Sequence, residues 1–90
     1  MSKSHQCWTF TVKVHLSLSQ VKHITMQVLI VTSMGEQPRP ERCENQAKDL
    51  YTKLWNRNIS EVIKVEIVGK FVKISENKYH KLVDEKGYIN

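Results

Sequence analysis

Ninety residues hold one hydrophobic core, because a chain of this size buries only about 60–65% of its unfolded surface. A composition 40% hydrophobic and 26% charged, with three Gly and two Pro, is that of a single globular domain and excludes a disordered or fibrous chain. The net charge of +5 mildly favours an anionic partner, and the longest apolar run, Val28 to Val31, is far too short to span a membrane.

The segment from Met1 to Trp8 lacks the apolar stretch and cleavage site of a secretory signal and passes straight into a strand pattern, so a cytoplasmic protein is expected. Cys7 and Cys43 have no second Cys or His at ligand spacing, which leaves neither a redox pair nor a zinc site to read. In a reducing compartment they are two packed thiols.

Trp8, Phe10, Val12, Val14 and Leu16 alternate with Cys7, Thr9, Thr11, Lys13 and His15, the period-two pattern of a strand with one buried face. A second alternation, Ile24, Met26, Val28 and Ile30, follows after a few residues around Ser17 to Val21. The two strands are therefore expected to form a hairpin. Even-numbered side chains point inward and odd-numbered ones outward. Two registers keep this parity: paired residue numbers summing to 38, which sets His15 opposite His23, or to 40. Leu18-Ser19-Gln20 carries no turn signal that chooses between them.

Ser33 to Pro40 reads as a loop, and Pro40 opens a helix expected to run to about Asn58. Cys43, Ala47, Leu50, Tyr51 and Leu54 form its apolar stripe, with Trp55 at the margin. Glu61 to Val68 resumes a strand pattern, with Ile63, Val65 and Ile67 on one face and Lys64 and Glu66 on the other. Gly69 then marks either a bulge in that strand or a turn to a fourth. After Ser75, Tyr79, Leu82 and Val83 at helical spacing, followed by Gly87, predict a short second helix. The predicted fold is one α+β domain over residues 1–90, in the order β-β-α-β-α, with the main helix packed on a sheet of three or four strands.

No catalytic motif is present: there is no phosphate-cradling glycine loop, no HExxH and no GxSxG. Cys43 lies on the apolar stripe of the helix, as an inert thiol would. Neither a cofactor nor a metal site is expected, since His15 and His23 have no third ligand in reach. A non-enzymatic binding protein is the expected class.

Between Met1 and Gly35 there is no Asp or Glu, whereas Lys3, Lys13 and Lys22 and three of the four His fall there. Lys3, Lys13, His15, Lys22 and His23 are accordingly the candidate contacts to nucleic acid or a nucleoprotein, on an acid-free outer hairpin face. Histidines in such a face add positive charge as pH falls toward 6, so affinity for an anionic partner is expected to rise below neutral pH. The alternative is an adaptor or inhibitor that covers a partner protein, as a homodimer or other oligomer. Its candidate interface is Leu29, Val31, Tyr51 and Trp55.

Overall fold

The computed structural model describes residues 5–86, and the side chains of 5–85. Strand β1, His5–Leu16, and strand β2, His23–Ser33, form the predicted hairpin. Helix α1, Pro40–Trp55, leads through a 3-10 turn, Ile59–Glu61, to strand β3, Val62–Ile74, and helix α2, Glu76–Lys86, follows. The class and element order are those expected. The sheet has three strands in the order β2-β1-β3, all antiparallel, so β1 is central and Gly69 lies inside one strand.

The hairpin adopts the register summing to 38: Trp8 faces Ile30, Phe10 faces Val28, Val12 faces Met26 and His15 faces His23. The even-numbered face is the core. Trp8, Phe10, Val12, Val14, Leu16, Met26, Val28 and Ile30 pack there with Cys43, Ala47 and Tyr51 of α1. Val65 and Ile67 of β3 complete the layer, and the Phe10 and Phe71 rings meet at 5.1 Å.

Between the pairs Thr9–Val72 and Thr11–Val68, β3 spends three residues where β1 spends one. Gly69, at φ 79°, supplies the left-handed backbone this bulge needs. A second irregularity between His15 and Leu16 throws Ile63 out of the expected alternation, and it is 66% exposed. The main helix ends earlier than expected, because Asn56 takes the left-handed cap conformation and donates its backbone N–H to the Thr52 carbonyl. Burial along its stripe accordingly stops at Tyr51, and Leu54 is exposed.

The ends of the hairpin are tied down by different polar devices. At one end, Trp8 Nε1 donates to Thr32 Oγ1 at 2.8 Å, and Thr32 Oγ1 and Gln6 Nε2 both donate to the Glu36 carbonyl. This buried chain fastens the loop after β2. At the other end, the Ser17 N–H donates to the Glu61 carbonyl at 2.9 Å. The Glu61 carboxylate accepts from Tyr51 Oη and Arg57 Nε, each at 3.0 Å, and so joins the hairpin tip to the end of α1.

The odd-numbered face departs from expectation. Cys7, Thr9 and Leu29 are buried, although they point away from α1. Helix α2 accounts for this: it packs on β1, His5 Nε2 lies 3.4 Å from Glu76 Oε2, and Val83 of α2 is buried. The stripe of Tyr79, Leu82 and Val83 thus closes half of the face read as solvent-exposed. The two cysteines form no disulfide with each other and stand on opposite faces of the sheet.

Candidate anion-binding face

The half of the outer face left open by α2 is the half nearest the hairpin tip. Its composition follows from register, since a residue of β1 shares a face with its partners on both sides. One cross-strand row is His23–His15–Lys64, the next is Thr25–Lys13–Glu66, and the third is Gln27–Thr11–Val68. Three basic or titratable side chains therefore stand abreast on three strands. Lys22 lies next to this row, exposed in the loop before β2.

Three of the candidate residues, Lys13, His15 and His23, are brought together on this face; Lys22 is exposed in the loop opposite Leu16, and Lys3 lies outside the described residues. The structure adds two residues not counted in the candidate set, Lys64 and Glu66. Their outward alternation is visible in the sequence, but the strand beside which they dock is not.

The outer face of the hairpin carries no acid, as expected, but β3 brings Glu66 beside it. His15 Nε2 donates to Glu66 Oε1 at 2.9 Å. That hydrogen bond, aided by the charges of Lys13 and Lys64, holds the Glu66 carboxyl below its ordinary value of 4.5. The His15 and His23 rings are 6.0 Å apart, and among the described residues no group of three or more His, Cys, Asp or Glu is placed to hold a metal ion. The face is thus a patch of Lys and imidazole donors around one carboxylate, with Thr11, Thr25 and Gln27 beside it. Such groups donate hydrogen bonds of the kind that phosphate and sugar oxygens accept.

The four candidate interface residues do not form one surface. Leu29 is 3% exposed, on the face covered by the chain's own α2, so its burial needs no second molecule. Val31 is half-buried on that same face. Tyr51 is in the core on the opposite side, its phenol pushed above the ordinary value of 10.0 by burial and by the bond to Glu61. Only Trp55 presents a large exposed surface, at 51%. Cys43 is fully buried and its thiol is raised by desolvation, which disfavours the reactive thiolate.

No helix among the described residues is long and apolar enough to cross a membrane. In comparisons with known proteins, no family model, no curated protein and no solved structure matches the chain.

Proposed function

We propose that this protein is a small non-enzymatic binding module whose open half-face contacts the phosphate backbone of nucleic acid, free or within a nucleoprotein. The observation that supports this most is the cross-strand row His23–His15–Lys64, with Lys13 in the next row. Donors held on three neighbouring strands, with lysines on β1 and β3, form a rigid array, whereas the same lysines on loops would lose more side-chain and backbone entropy on binding. A surface of this composition gives affinity without strong sequence preference, because it has no exposed aromatic platform to stack bases. A cytoplasmic setting, in which both cysteines stay reduced, belongs to this proposal.

The test is a titration of a short labelled duplex and a labelled single strand with the protein, followed by fluorescence anisotropy at increasing salt. Binding that weakens linearly in log–log form supports phosphate contacts. An unchanged anisotropy at low salt defeats the proposal.

A second reading, a protein-covering adaptor or inhibitor, is favoured by a different observation. Leu54, Trp55, Ile59 and Ile63 are all exposed, on the last turn of α1, the 3-10 turn and the start of β3. Tryptophan at such a place is a common anchor in protein interfaces. Failure to bind nucleic acid, combined with loss of partner capture on Trp55→Ala, selects this reading.

A further inference from the structure

The end of the molecule that holds the hairpin tip carries apolar side chains that the core does not use. Val21 in the loop between β1 and β2, Leu54 and Trp55 on the last turn of α1, Ile59 in the 3-10 turn and Ile63 near the start of β3 are all exposed.

Hydrogen bonds gather these five at one place. The Ser17 N–H and hydroxyl both donate to the Glu61 carbonyl, at 2.9 and 3.3 Å, which sets the hairpin loop against the 3-10 turn. Val62 pairs with Leu16, so Ile63 emerges close to that loop. Arg57 Nε and Tyr51 Oη donate to the Glu61 carboxylate and bring the end of α1 to the same point. The Asn56 cap and the Asn58 side chain, which accepts from the Ser60 N–H at 2.9 Å, fix the backbone between them. Single exposed apolar side chains are ordinary, but five from four segments, tied together, mark a contact surface.

The charge around this surface is mainly of one sign. Lys22 follows Val21, Lys53 precedes Leu54 and Lys64 follows Ile63, and all three lysines are exposed. None of them is in an ion pair among the described residues. Glu61 is occupied by Arg57 and Tyr51, and Glu66 by His15. Against the three lysines stands Asp49, one turn before Lys53 on α1.

We infer that this end of the protein docks a segment of a partner protein that combines apolar side chains with an excess of Asp and Glu. The inference rests on the second reading above and names the chemistry of that partner. Apolar anchors of the segment cover Trp55, Ile59 and Ile63, while its carboxylates meet Lys22, Lys53 and Lys64. That field steers an acidic segment in and penalises a basic competitor. A protein fits better than an anionic lipid surface because the Glu61 carboxylate, with its two donors, sits between Ile59 and Ile63. A polar rim on a partner protein can hydrogen-bond such a network, whereas insertion into a bilayer strips its water.

The probe is a library of random peptides displayed on phage and selected against the full chain, with the best binders synthesised free of tryptophan. Those peptides should join Leu, Ile or Phe to a net negative charge. Of the two tryptophans Trp8 is buried and Trp55 exposed, so covering Trp55 should shift the emission of the protein to the blue. Trp55→Ala, and separately Lys22→Glu with Lys64→Glu, should each weaken a labelled peptide roughly tenfold or more in an anisotropy titration. Apolar peptides without excess acid that still depend on Trp55 overturn the inference and leave the protein-covering reading standing. Failure to select any peptide, or peptides indifferent to Trp55→Ala, overturns both. A blue shift with vesicles of phosphatidylserine and phosphatidylcholine, and with no peptide, assigns the surface to lipid and also overturns the inference.

Discussion

Replacing both Lys13 and Lys64 by Glu removes two of the three lysines that surround the row His23–His15–Lys64, and leaves Lys22. With three phosphate contacts the slope of log K against log salt is about −2.7, and with one it is about −0.9. Raising salt from about 50 to about 200 mM then weakens the unaltered protein about fortyfold and the variant only about fourfold. Both side chains lie on the open half-face and neither belongs to the core, so the fold should survive the change. Circular dichroism and the thermal midpoint verify this before binding is measured. The binding assay is anisotropy of a labelled oligonucleotide at five or more salt concentrations, with the slope, and not one affinity, as the result. A variant that is folded and keeps the slope of the unaltered protein refutes the assignment of phosphate contacts to this face.

Glu66→Gln should strengthen nucleic-acid binding, because it deletes the one carboxylate in the row pairs and frees His15 from it; weaker binding in the same anisotropy assay would contradict this. His15→Ala with His23→Ala should weaken binding in the same assay, since it removes two of the three donors of the row. Trp8→Phe removes the buried bond to Thr32 and part of an indole, a loss of about 2 kcal/mol. For a domain of this size that lowers the thermal midpoint by roughly 8–16 °C, read by calorimetry. The Glu61 carboxyl is held below 4.5, first by its hydrogen bond from Arg57 and also by that from Tyr51. Its folded value being depressed, its contribution to stability is present above the ordinary value and is lost as pH falls through the lower, folded one. Urea midpoints measured downward from pH 6 should therefore fall less steeply for Glu61→Gln than for the unaltered chain.

The hairpin and the main helix were legible because their signals are local. Alternation from Trp8 to Leu16 and from Ile24 to Ile30 fixes a buried face whatever packs against it, and Pro40 marks a helix start by its own covalent geometry. The register was not legible, since Ser17 to Lys22 has no turn residue that dictates it; the tie of Ser17 to Glu61 is a contact across about half of the chain. The open half-face was half legible for the same reason. Periodicity says that Lys64 and Glu66 point outward from β3, but their place beside Lys13 and His15 depends on which strand β3 joins. Leu29 and Val31 were a true signal of a covered outer face. They were read as an intermolecular signal, and the cover turned out to be α2, whose stripe of Tyr79, Leu82 and Val83 was itself visible. Each of the two apolar surfaces was recognised, and only three-dimensional proximity matched one to the other.

The central position of β1 has a consequence for biosynthesis. Of the three strands, β1 leaves the ribosome before the others and finds β2 after a short loop, on the microsecond scale of hairpin closure, but its other neighbour arrives only after about half the chain has followed. Pairs such as Cys7 with Ile74 close a long loop and are slow to form. Until α1 has followed, the nascent hairpin holds Trp8, Phe10 and Val12 without a helix above them, and until β3 has followed, β1 has a bare side. Translation speed between Ser33 and Val62 thus sets how long the chain is exposed to chaperones and to its own neighbours on a polysome.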